Sequence, residues 1–269
     1  MSRKTEVVGT DLASAVDGLY CAFASYSRPQ WFEGCSCCWG GDLIDGSGEQ
    51  GGRESVRVTA PGESRPLREL GADELSAIAF EVPLTAGTLD VQKHYLPRIL
   101  EIAVTQGFDW PDLEVVFYRL NEGADLGSEP WIRWPDGERD ALQAFFRALW
   151  ADRLATVHDD RYAVDSALCA IGVVEPDLDW YLAEWLRFEH PRAAENLLQF
   201  LQLNANDMTR GRLRNAFWDD KAPADENLAK VVAWAKADST REAVAAAAER
   251  ARTPEETYAL EECYLRWLG

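Results

Sequence analysis

DGERDALQAFFRALWADRLAT, residues 136–156, decides the fold class. Ala141, Leu142, Phe145, Phe146, Leu149 and Trp150 recur at spacings of three and four, so a helix of 3.6 residues per turn carries them on one broad apolar face. The same period continues upstream. Leu12, Val16, Leu19, Tyr20 and Phe23 share a face between Asp11 and Tyr26, with Thr10 as N-cap, and Leu75, Ile78 and Ala79 do so between Ala72 and Val82. Val91, Tyr95, Ile99 and Ala103 form a stripe between Asp90 and Thr105, where Pro97 either kinks the helix or marks the first turn of one that begins near His94. A further helix is expected over 111–120.

Downstream the chain falls into pairs of short helices: 162–174 with 176–188, 191–205 with 211–218, 225–237 with 239–251, and a closing helix at 254–268. Pro176, Pro191, Gly211, Pro223 and Pro254 mark the joints, because proline is tolerated in the first turn, whose amides lack helical partners anyway. The expectation is an all-α fold of stacked helical hairpins, solenoid-like in the manner of HEAT or armadillo repeats. No stretch of six or more residues alternates strictly enough to make a sheet the scaffold. Composition divides the chain into an N-terminal helix and Cys-rich segment (1–39), a Gly-rich stretch expected to be a mobile loop (40–66) with a short hairpin at Ser55–Thr59, and a helical domain (67–269).

The 269 residues carry a formal charge of −19, with 46 acidic against 27 basic side chains. A nucleic-acid binder needs cationic groups to displace counterions from phosphates, and no basic run offsets this deficit, so nucleic acid is set aside. Asp11 and Asp17 interrupt any apolar stretch that could serve as a secretion signal, and no uncharged run approaches the roughly 20 residues that cross a bilayer. Three of the six cysteines fall within residues 35–38, unlike a disulfide framework, so a reducing cytoplasm is expected.

Three constellations could carry chemistry. Cys35 and Cys38 have the C-x-x-C spacing that lets two thiolates reach one zinc ion, with Cys37 between them and His94 or Cys21 as a ligand from another element; half-buried thiols without metal are the alternative. His94, Arg98 and Glu101 share one helical face, as an acid–base group or as an anchor between helices. His94, the pair His158-Asp159 and a later aspartate such as Asp165, Asp177 or Asp179 follow the order of the ligands in metal-dependent phosphohydrolases on helical folds. No phosphate-binding Gly-rich loop, nucleophile elbow or His-Glu-x-x-His accompanies them.

Cys35-Ser-Cys-Cys38 preceding Pro66-Leu-Arg-Glu-Leu70, the helix Asp90-Val-Gln-Lys-His-Tyr-Leu-Pro-Arg-Ile-Leu-Glu101, and Gly211-Arg-Leu-Arg-Asn-Ala-Phe-Trp218 resemble, in this order, motifs of a bacterial protein family to which no activity attaches. Members of that family usually have proline between the first two cysteines and a shorter stretch before the Pro-Leu-Arg segment. The resemblance implies shared structure and no reaction.

The remaining class is binding. Trp31, Trp39, Arg98, Glu101, Arg212 and Trp218 are the candidate partner-binding residues, tryptophan being enriched among side chains that dominate interface energy. The spread acidic excess would steer a basic protein partner, as in immunity proteins that neutralise cationic toxins. The expected function is therefore a non-enzymatic, protein-binding role of that type. A metal-dependent phosphohydrolase and a zinc-stabilised structural module are the alternatives.

Overall fold

The computed structural model describes residues 10–36, 38–39, 55–121, 129–156, 160–219 and 223–268. It divides into two units, Met1–Phe145 and Phe146–Gly269. Among the described residues the fold is all-α apart from one two-stranded sheet. No described helix is long and apolar enough to cross a membrane.

In the first unit, α1 (Thr10–Ala22) and α2 (Ala72–Glu81) pack on α3 (Leu89–Thr105), followed by α4 (Leu113–Tyr118) and the start of α5 (Asp136–Ala155). The face predicted for α1 is buried at Leu12, Val16 and Leu19. α3 begins at Leu89, where the Thr88 hydroxyl accepts the Val91 amide, so Pro97 lies in the helix interior and not in its first turn. Tyr95, Leu96, Ile99, Leu100 and Ile102 of α3 are buried, which makes this helix the axis of the unit.

The Cys-rich segment contains strand β1 (Trp31–Cys35), and Ser55–Thr59, in place of a hairpin of its own, forms the single strand β2 paired antiparallel with β1 in the register Trp31↔Thr59 to Cys35↔Ser55. Phe32 and Val58 point inward while Trp31, Glu33 and Arg57 face out. Five residues show too few alternations to be read as a strand, and the partner lies 20 residues away. Gly34 sits where a Cβ would come within 3.0 Å of both Trp39 and Val58. Its other neighbours are residues 85–87: the Cys35 amide donates to the Thr85 carbonyl at 2.9 Å and the Gly87 amide to the Glu33 carbonyl at 2.7 Å. Residues 40–54, most of the expected mobile loop, lie outside the described residues.

The second unit holds α6 (Ala163–Gly172), α7 (Asp179–Leu186), α8 (Ala193–Met208), α9 (Ala224–Lys236), α10 (Asp238–Arg250) and α11 (Pro254–Leu268). α6 packs against α9, α7 against α10 and α8 against α11, so each of the first three helices meets the one three places later. The centre is aromatic. Trp185 is fully buried, edge-on to Trp150 and Phe200 at 5.1 and 5.3 Å and stacked on Trp234 at 5.6 Å, and its indole N–H donates to the Ala193 carbonyl at 2.9 Å.

One expected helix is absent. Residues 211–218 form a turn that closes in a short 3-10 segment, Ala216–Asp219. Gly211 has a positive φ of 73°, and side-chain oxygens take the amides that a helix would use: Asn204 Oδ1 accepts from the Arg214 N–H at 2.7 Å and Asn215 Oδ1 from the Phe217 N–H at 3.1 Å. Asparagine competes with the helical ladder in this way.

Candidate protein interface

The cysteine segment closes a turn in which the Cys38 and Trp39 amides both donate to the Cys35 carbonyl at 3.1 Å. Cys35 is half-buried and Cys38 exposed, while Cys37 lies outside the described residues. Among the described residues no three His, Cys, Asp or Glu side chains are grouped to hold a metal ion. His158 and Asp159 also lie outside the described residues.

His94 is engaged elsewhere. Its Nδ1 lies 2.8 Å from the Tyr26 carbonyl, which can only accept, so Nδ1 carries a proton, and in the neutral ring the lone pair is on Nε2. Burial holds its pKa below the usual histidine value, with the Arg28 charge adding to the effect. A depressed folded-state pKa means that the unfolded chain binds the proton first, so this residue takes stability away as pH falls through about 6.5. Urea unfolding at pH 7.5 and 5.5 tests it: His94→Asn, whose amide can keep the bond to Tyr26, is expected to lose less stability on acidification than the parent. An equal loss in both chains would refute this reading.

The rest of that helical motif consists of anchors. Tyr95 Oη donates to the Pro61 carbonyl at 3.0 Å, and Arg98 Nε to the Leu70 carbonyl at 2.8 Å. Glu101 accepts from Tyr20 Oη at 2.6 Å and from Arg98 at 2.8 Å, and burial together with Glu101 pushes the Tyr20 phenol up. Arg68 stacks on the Tyr20 ring at 3.9 Å and pairs with Asp17. The motif thus ties α3 to α1 and to the segments at 26, 61 and 70. Beside it, Lys93 and Glu138 form a buried ion pair at 2.6 Å. Tyr26 Oη accepts from Lys93 at 3.1 Å and donates to Glu138 at 2.6 Å, and the Trp134 ring lies 4.4 Å from the ammonium.

Two of the six candidate partner-binding residues belong to the core. Trp39 packs edge-on to Phe32 at 5.4 Å, and Trp218 is fully buried with its ring against the Gly172 backbone. Tryptophan supplies more buried area than any other side chain, and here that area holds the core together. Arg98 and Glu101 serve the anchors above. Arg212 is exposed, and Trp31 is exposed beneath the Arg57 guanidinium, which lies 4.1 Å from its ring.

A groove in the second unit was not among the sequence expectations. It encloses about 570 Å³ between α8 and the first turns of α11. Ala194, Leu198 and Ala259 lie buried along it, while Arg192, Glu195, Gln199 and Gln202 line one side and Glu255, Glu256 and Tyr258 the other. The α11 start is capped on its own side chains: Thr253 Oγ1 accepts the Glu256 amide at 3.1 Å, Glu256 reaches back to the Arg252 amide at 2.9 Å, and Pro254 fills the first helical position. Deeper down, the Cys263 thiol faces the Ala194 carbonyl at 3.9 Å, and burial pushes its pKa up to about 12, which leaves it protonated and structural.

The electrostatics of the groove are one-sided. Three carboxylates face one guanidinium, and Arg192 is already paired with Glu195 at 2.8 Å. Tyr258 and Leu265, seven residues apart on α11, are 64% and 59% exposed, with Glu261 exposed between them. Comparison with family models, with curated proteins and with solved structures finds no match for this chain.

Proposed function

We propose that this chain is a non-enzymatic binding module for a basic protein, of the immunity type in which an acidic inhibitor neutralises a cationic toxin. The observation that carries the reading is the α8–α11 groove, an apolar channel whose uncompensated charge is negative, on a chain of net charge −19. Complementary charge raises association rate and rejects acidic competitors, while the apolar floor supplies the desolvated contacts that hold a complex. The side chains of the His94–Glu101 motif serve as interior anchors, so the exposed acidic surface is left as the feature with a use outside the fold.

The product of the neighbouring gene is the partner to test. The expected result is a basic protein that co-elutes with this chain from a sizing column at low salt and separates as salt is raised past the range where screening acts over about 10 Å. An acidic neighbour, or a basic one that never co-elutes, would overturn the reading.

A further inference from the structure

We infer that the α8–α11 groove receives a basic amphipathic helix; this rests on the proposed function and adds both the place of contact and the form of the occupant. Its lining on α8 comprises Ala194, Glu195, Leu198, Gln199 and Gln202. These recur at the one-face spacing of a helix and run roughly 12 Å along its axis at about 1.5 Å per residue, or a little over two turns. An occupant lying alongside for that length presents one face through anchors at i, i+3 or i+4, and i+7, the pattern of helix-in-groove recognition.

The floor suits such a guest. Ala194 and Ala259 are small, which lets another helix approach closely, and Leu198, Pro254 and Tyr258 offer apolar contact. The rim fixes its charge, since Glu195, Glu255 and Glu256 stand opposite whatever flanks the apolar stripe. Lysine or arginine on the α11 flank would find Glu255 and Glu256, while Glu195 across the groove is paired with Arg192. A second copy of this chain is a poor occupant, because its own charge of −19 repels the same rim.

The test uses the full chain and a synthetic amphipathic peptide of about four helical turns, with leucines at i, i+3, i+4 and i+7 and lysines on its flanks. A twin carries glutamate for each lysine. Amide shifts in the isotope-labelled protein are expected to be confined to residues 191–202 and 253–259 on addition of the lysine peptide, with no binding of the twin. Tyr258→Ala and the double variant Gln202→Lys with Glu255→Lys change exposed side chains only, so they should fold normally, and each is expected to weaken binding about tenfold. If the lysine peptide binds with shifts elsewhere, or if both variants bind as the parent does, the groove is the wrong site while the basic-partner reading survives. If the glutamate twin binds equally well, or if neither the peptide nor any basic protein binds at low salt, both fail. A dimer of this chain that Tyr258→Ala dissolves would replace the basic helix by a second copy.

Discussion

Glu138→Ala is expected to cost the first unit about 3–5 kcal/mol, because it leaves the Lys93 ammonium buried without its counter-charge. Both side chains are more than nine-tenths buried, so water cannot take over the lost contact. The Tyr26 hydroxyl loses its acceptor in the same step. With total stabilities of about 5–15 kcal/mol for a domain, this is a large fraction. Urea unfolding followed by tryptophan fluorescence measures it. The control is the double variant Lys93→Met with Glu138→Leu, which removes both charges and is expected to recover most of the loss, since replacing a buried pair by apolar groups is often neutral. A single variant within 1 kcal/mol of the parent would show that the pair is not held as described.

Gly172→Ala poses a contest of sign. Gly172 ends α6, where alanine is ordinarily the better helix former by about 1 kcal/mol. A Cβ there would lie 2.4 Å from Cη2 and 2.5 Å from Cζ3 of Trp218, a fully buried ring. The backbone has little freedom to yield, because Asn227 Nδ2 holds the Gly172 carbonyl at 2.9 Å and the Glu175 carbonyl at 2.8 Å. Overpacking therefore wins, and a net loss of about 1–3 kcal/mol is expected by thermal or urea unfolding. Adding Trp218→Leu should make Gly172→Ala far less costly than it is in the parent. A stabilised Gly172→Ala would place Trp218 elsewhere.

Much of this fold was legible because helices are local. The faces of α1 and α5 follow from residues three and four apart, and Pro254 marked the start of α11 through chemistry within one turn. The strand Trp31–Cys35 and the turn at 211–218 were not legible for the opposite reason. One is stabilised by Ser55–Thr59 and by residues 85–87, and the other by Asn204, all outside the local window. The Asp90–Glu101 motif stood out in the chain, but its spacing suited catalysis as well as anchoring. The choice between them rests on partners such as Tyr20, 81 residues away, and Leu70.

The amino-acid sequence alone determined the helical class, the joints marked by proline and the large negative charge, because each depends on composition or on neighbours within a few residues. The tertiary structure alone decided which tryptophans are core and which are surface, that Lys93 and Glu138 meet in the interior, and that α8 and α11 lie side by side with Glu195, Glu255 and Tyr258 around one groove. Those groups are brought together by burial of apolar faces far apart in the chain, and periodicity within a helix says which face is apolar without saying which other face will cover it.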